Sequence, residues 1–203
     1  MKRLLSKLGL GSKKFQQRHF LRREVFRADY EVLAASLMRR LDFDSVIDIG
    51  CANGFLVSAF HGEGKEASGI ERSSDVVAVL PPDLLPLVQI GDFSAATTVS
   101  DLVCCVEVAE HIPPERSEEL VRKISSLAGR WVLFGAAPPG QGGRGHINLR
   151  EPHEWLHWFE DDGWVINEAL TAAVRGDLEV LENAPWLRTN CMVLEPAGQA
   201  VGS

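Results

Sequence analysis

The stretch Val46-Ile-Asp-Ile-Gly-Cys-Ala-Asn-Gly54 decides the fold of this 203-residue chain. A β-branched run ends at Ile49 and turns through Gly50 and Gly54 into a segment typical of a helix. Glycine lets a backbone approach a ligand where a Cβ would collide. In open α/β sheets, nucleotide-like ligands bind at turns of this kind, where the new helix offers unpaired N–H groups. The stretch therefore predicts a strand, a ligand-binding loop and a helix, although similar turns also occur without a ligand.

Strand and helix patterns alternate along the rest of the chain. The apolar and turn patterns predict strands at 45–49, 67–70, 87–90, 101–106, 131–134, 164–167 and 190–194. Helices are predicted at 15–41, 53–60, 73–80, 114–127 and 152–161. This alternation indicates an α/β fold, a mostly parallel sheet with helices on both faces. Right-handed crossovers then bring the carboxyl ends of the parallel strands to one edge of the sheet.

The charge is unevenly distributed. The chain carries a net charge of −7, but residues 1–40 hold eleven Lys/Arg and three Asp/Glu. We expect a basic N-terminal arm and helix at 1–40, one domain at 41–197 and a disordered tail at 198–203. The arm is interpreted either as a solvated cationic helix or as a contact for RNA, a lipid surface or a phosphorylated substrate.

The composition predicts a cytoplasmic protein. No apolar run is long enough to span a membrane, and Lys7 interrupts the apolar start of the chain with no cleavage site after it. The four cysteines lack the spacing of a metal site, so we expect reduced, packed thiols.

Acidic residues follow the predicted second and third strands. Glu71 lies 21 residues after Gly50, where the dinucleotide fold places an acceptor for ribose hydroxyls. Asp92 can accept a hydrogen bond from an exocyclic amine, and Phe93 can cover the face of a purine ring. A helix-terminal acid and a turn aspartate are the alternatives without a ligand.

The ordered set Asp48–Gly54, Glu71, Gly91-Asp92-Phe93 and Glu107–His111 resembles the class I S-adenosylmethionine-dependent methyltransferases over residues 44–170. The resemblance implies a Rossmann-like three-layer sandwich whose seven-stranded, mostly parallel sheet has an antiparallel last strand. It implies S-adenosyl-L-methionine as the cofactor, with its methionine part in the 48–54 loop, its ribose at Glu71 and its adenine at Asp92 and Phe93. The complete predicted cofactor set is Asp48, Gly50, Cys51, Ala52, Gly54, Glu71, Arg72, Asp92, Phe93 and Glu107.

Two histidines are the candidate catalytic residues. His111 follows the fourth strand, and His146 lies in the glycine-rich loop after the fifth strand. Imidazole can accept a proton near neutral pH, which an oxygen nucleophile requires. The alternatives are a His111 that only shapes the pocket and a His146 that lies at the surface.

We predict methyl transfer to an oxygen or nitrogen of a small-molecule acceptor, without a metal. A second hypothesis is an RNA 2′-O-methyltransferase, because Glu107, Glu110, His111 and His146 resemble the metal-binding set of the small-RNA enzymes. The acidic body makes nucleic acid the less favoured partner. A third is a nucleotide-binding module without catalytic activity.

Overall fold

The computed structural model describes residues 20–198, so most of the predicted arm and nearly all of the predicted tail lie outside the described residues. The described chain forms one seven-stranded sheet. Its strands are β1 (Ser45–Ile49), β2 (Glu66–Glu71), β3 (Val88–Ile90), β4 (Ser100–Val106), β5 (Ala128–Gly135), β6 (Trp164–Ile166) and β7 (Met192–Pro196).

The strand order is β3-β2-β1-β4-β5-β7-β6. Neighbours from β3 through β5 pair in parallel. Strand β7 is antiparallel to both β5 and β6. The predicted mostly parallel sheet with an antiparallel last strand is confirmed.

Six α-helices accompany the sheet after residue 26, and residues 20–23 form the described part of a further helical segment. The six are α1 (Arg27–Arg40), α2 (Phe55–Gly62), α3 (Ser117–Leu127), α4 (Pro152–Asp161), α5 (Glu168–Asp177) and α6 (Pro185–Asn190). Short 3₁₀ turns occur at Glu24–Phe26, Ser74–Ala78, Leu85–Leu87, Phe93–Ala95, Ala109–His111, Pro114–Arg116 and Leu178–Val180. The first of these turns interrupts the helix predicted at 15–41, and α5 and α6 were not predicted.

The core has two halves, one on each face of the sheet. Along β4, Leu102 and Cys104 pack into the half that contains α1 and α2, whereas Val103 and Cys105 pack into the half that contains α3 and α4. Successive side chains of a strand point to opposite faces, so β4 is apolar over residues 102–106, where both of its faces are covered. This arrangement is the predicted three-layer sandwich.

All four cysteines are buried free thiols. Among residues 20–198, no helix combines the length and the apolar character that crossing a membrane requires.

Candidate active site

A cavity of about 550 Å³ opens at the carboxyl ends of β1, β2 and β4, beside the turn after β3. Its volume lies in the usual range of small-molecule sites. The predicted site residues that line it are Gly50, Ala52, Glu71, Arg72, Asp92, Phe93, Glu107 and His111. The topology thus brings together side chains from four separate strand ends.

Four predicted residues do not line this cavity. Asp48 is buried in β1, where burial and then the charge of Glu71 raise its pKa to about 8. Cys51 is also buried, and its Sγ lies 2.7 Å from the position of a Cβ added at residue 69. A Cβ at Gly54 would lie 3.3 Å from Leu80 Cδ2, so this glycine faces apolar packing. His146, the fourth, lies beside Glu110.

The turn after β1 holds Glu71 at the cavity wall. Ala52 adopts a φ of 44°, which is unusual for a residue with a side chain, and its N–H donates to Glu71 Oε2 at 3.0 Å. The N–H of Ser73 donates to Glu71 Oε1 at 2.7 Å. Each carboxylate oxygen keeps capacity for a further donor, since a carboxylate offers about four lone-pair sites. Glu71 is therefore oriented and can still accept hydrogen bonds.

Asp92 is paired with a residue that the sequence analysis did not identify. Arg116 donates from Nη1 and Nη2 to the two carboxylate oxygens at 2.9 and 2.8 Å, and the N–H of Ser94 donates to Oδ1. These bonds, led by those from Arg116, hold the pKa of Asp92 well below its usual range. The guanidinium carbon lies 4.3 Å from the ring centroid of Phe93, which is buried. Arg116 thus contacts both of the residues that were predicted to bind adenine.

Glu107 has a strained backbone at the end of β4, and each of its carboxylate oxygens accepts one hydrogen bond. Its φ is 58°, a conformation that costs about 1–3 kcal/mol and is common at functional sites. Asn190 donates to its Oε1 at 2.8 Å, and Gln141 donates to its Oε2 at 3.2 Å. Burial raises the pKa of Glu107 despite these bonds. The carboxylate therefore holds the glycine-rich loop in place through its hydrogen bond with Gln141. It also forms part of the polar surface of the cavity.

The two predicted catalytic histidines meet, with ring centroids 5.0 Å apart in an edge-to-face arrangement. His111 lines the cavity, and its Nδ1 lies 3.0 Å from the carbonyl oxygen of Gly145. The side chain of His146 is 11% exposed and has Nε2 3.9 Å from Glu110 Oε1. Of the pair, His111 faces the space where a ligand would bind.

Two further cationic side chains line the cavity, and neither was predicted from the sequence. Arg23 and Arg144 both line it, from the N-terminal helical segment and from the glycine-rich loop. Arg23 precedes the first strand, and Arg144 lies in the glycine-rich loop after β5; neither belongs to a motif with fixed spacing, so the sequence did not single them out.

Known proteins with similar sequences are methyltransferases. Over 102 residues the chain is 29% identical to "Magnesium protoporphyrin IX methyltransferase, chloroplastic" of Arabidopsis thaliana, a match covering 46% of this chain and 33% of that protein. Over 98 residues it is 33% identical to "Ubiquinone biosynthesis O-methyltransferase" of Thiobacillus denitrificans, a match that covers 44% of this chain and 42% of that protein. The match thus spans less than half the length of these relatives. No protein-family model matches the chain.

Solved structures extend this similarity to the whole domain. Magnesium protoporphyrin IX methyltransferase from Synechocystis PCC 6803, crystallised with bound SAH, superposes with a TM-score of 0.66 at 17% identity and covers 95% of this chain and 98% of that chain. The chain has the class I methyltransferase fold. Within the methyltransferase fold, the cavity lies where open α/β sheets bind ligands, outside the carboxyl ends of the strands.

Proposed function

We propose that this chain is an S-adenosylmethionine-dependent methyltransferase that acts on an oxygen or nitrogen atom of a small-molecule acceptor. The observation that carries the proposal is the oriented Glu71 carboxylate in a cavity bordered by the turn after β1. The methyltransferase relatives support it, because their names describe transfer to protoporphyrin and, in ubiquinone biosynthesis, to oxygen.

The residues at one end of the cavity fit the methionine and ribose parts of the donor. Glu71 can accept hydrogen bonds from both hydroxyls of a ribose. Arg23 lies beside the turn that contains Gly50 and Ala52, and its guanidinium can pair with the donor's carboxylate. In this proposal the buried Asp48 supports the 48–54 loop from β1, and Cys51 and Gly54 fix the conformation of that loop. Arg72 contacts the ribose.

The other end of the cavity can accommodate adenine if the Asp92 carboxylate accepts a hydrogen bond from the base in addition to those from Arg116 and Ser94. Arg116 and Ser94 supply three donors to Asp92, which leaves about one lone-pair site for an exocyclic amine. Phe93 and Ile112 line the same cavity and provide apolar surface for a ring. We therefore propose Arg116 as the residue that orients Asp92.

His111, Arg144 and Gly145 form the acceptor side of the cavity in this proposal. The bound donor supplies a methyl group on a positively charged sulfur; the acceptor forms its bond to that carbon as the carbon–sulfur bond breaks and its electrons return to sulfur. The chain positions the acceptor and excludes water. His111 contacts the acceptor and takes up its proton, and His146 holds the ring of His111 in place.

The other hypotheses gain no support from the relatives. Most of the basic arm that would contact RNA lies outside the described residues. The cytoplasmic location stays a prediction.

Transfer of a labelled methyl group tests the proposal. The full chain is incubated with labelled S-adenosylmethionine and a panel of phenols, carboxylic acids and amines, and products are identified by mass spectrometry. We expect label on at least one hydroxyl, carboxyl or amine compound, and none with Glu71→Ala. Donor binding without transfer to any panel member would favour the non-catalytic module, and no donor binding would refute the proposal.

A further inference from the structure

We propose that the basic N-terminal arm docks on an anionic lipid surface and that Leu21 and Val25 contact the lipid. Leu21 is 63% exposed and Val25 is 54% exposed. They lie about one turn apart in a run of α-helix and 3₁₀ turn, and residues at that spacing share one side of a helix. Because the outward side of a surface helix is normally polar, this apolar side requires an explanation.

The inner side of the same segment is held on the domain. Phe20 is buried, and its carbonyl oxygen accepts a hydrogen bond from Asn53 Nδ2 at 3.0 Å. Further along, the ring of Phe26 meets the ring of Trp186 edge to face, with centroids 5.4 Å apart. The two exposed aliphatic side chains therefore project from a segment whose opposite side is anchored.

The residues before Leu21 combine positive charge with aliphatic side chains. The first 23 residues contain eight Lys/Arg and no Asp/Glu. Basic residues and leucines are interspersed at the start of the arm: Lys2, Arg3, Leu4, Leu5, Lys7, Leu8 and Leu10. Lys/Arg with interspersed Leu or Phe is typical of segments that bind the interface of an anionic membrane. Each basic residue near such a surface strengthens binding about fivefold.

Lipid fits this arm better than RNA does. Both partners are polyanions, so the positive charge alone does not distinguish them. Proteins bind single-stranded RNA largely through aromatic side chains on which the bases stack. The two exposed side chains of the described segment are instead aliphatic, and they gain free energy when lipid removes them from water.

The distribution of charge would orient the docked chain. Residues 24–203 contain thirteen Lys/Arg and all twenty-eight Asp/Glu, so an anionic surface attracts the arm and repels the rest of the chain. Phe20 and Arg23, which belong to the same helical segment as Leu21, line the cavity. Docking through this segment therefore keeps one wall of the cavity close to the lipid surface.

Vesicle flotation with the full chain tests the docking. The vesicles contain phosphatidylcholine alone or an equal mixture of phosphatidylcholine and phosphatidylglycerol. We expect binding to the mixed vesicles that weakens as salt is added, and much weaker binding to phosphatidylcholine alone. No methyl donor is present, so the result is independent of the proposed methyl transfer.

Two pairs of substitutions separate the apolar contribution from the electrostatic one. Leu21→Ser combined with Val25→Ser should weaken binding to the mixed vesicles by about 10-fold or more, because lipid no longer buries two aliphatic side chains. Lys13→Gln combined with Lys14→Gln should weaken binding by about fivefold for each charge removed. Circular dichroism checks that each variant is folded.

Two matched controls lie away from the arm. Val99→Ser changes a residue that is 66% exposed directly before β4, at the edge of the sheet opposite the cavity. Arg122→Gln removes a positive charge from α3, where Arg122 pairs with Glu118. Both should retain the affinity of the unaltered chain.

Equal affinity of the Leu21→Ser/Val25→Ser chain and the Val99→Ser chain would overturn the proposal. Absence of binding to the mixed vesicles would also overturn it, and binding to a single-stranded RNA oligonucleotide in that case would assign the arm to RNA.

Discussion

Substitution of Gly50 by alanine should destabilise the domain through two separable effects. Gly50 has a φ of +77°, and its added Cβ would lie 2.5 Å from Val108 Cγ2 and 2.9 Å from Val108 Cγ1. A left-handed conformation costs a residue with a side chain about 1–2 kcal/mol. Overpacking costs about 1–3 kcal/mol. We therefore expect the free energy of unfolding to fall by about 2–5 kcal/mol.

A double-mutant cycle separates the two effects. Val108→Ala removes both methyl groups that the new Cβ meets, so Gly50→Ala should cost about 1–3 kcal/mol less in that background. The backbone cost remains, because it does not depend on Val108.

Equilibrium urea unfolding of the four proteins measures this coupling. Gly62→Ala is the control, since φ there is not positive and no described atom lies within 4 Å of its added Cβ; we expect it to be neutral or stabilising by up to about 1 kcal/mol. Additive effects of Gly50→Ala and Val108→Ala would refute the steric argument. A Gly50→Ala that behaves like Gly62→Ala would refute the whole account of this turn.

Three other perturbations test the site. Glu71→Gln should weaken S-adenosylhomocysteine binding by about 10–100-fold in calorimetry, whereas Glu66→Gln, exposed on the same strand, should not. Arg116→Gln should return the lowered pKa of Asp92 towards its usual value, which NMR titration of the carboxyl carbon measures; an unchanged pKa would show that Arg116 does not lower it. The pKa of Asp48 is about 8 in the folded chain against about 3.9 unfolded, so the folded state holds the extra proton between these values. The free energy of unfolding should therefore fall as pH rises from about 4 to about 8, by at most about 1.4 kcal/mol per pH unit, and less steeply in Asp48→Asn; equal pH profiles in urea unfolding would contradict this.

The sequence predicts the sheet well because its strands are encoded locally. The β-branched run at Ser45–Ile49 has the observed bounds, and the apolar run at residues 102–106 lies inside β4. Parallel connectivity then requires the strand ends to share one edge. For this reason Glu71, Asp92 and Glu107 could be placed at one site although they are distant in sequence.

Helices α5 and α6 were missed because their local signals are weak. Helix α5 begins at a good cap, with the Asn167 side chain accepting from the N–H of Leu170 at 2.9 Å. It contains Gly176, however, and only Thr171 and Val174 are buried, so the apolar period is short. Helix α6 has six residues, too few for a period to be recognised.

Contacts between distant segments could not be predicted from local patterns. Arg116 reaches Asp92 across 24 residues, and Arg23 reaches the cavity from a segment before the first strand. Nor does the sequence say which way a loop residue points. His146 was expected beside the pocket, but the loop directs it to Glu110, while Gly145 lines the cavity.

The central claim is that this cavity binds S-adenosylmethionine. A crystal structure of the full chain with S-adenosylhomocysteine tests it most directly. We expect the ribose hydroxyls at Glu71, the carboxylate near Arg23 and the sulfur directed towards His111. A ligand bound elsewhere, or an empty cavity in crystals grown at saturating ligand, would contradict the account.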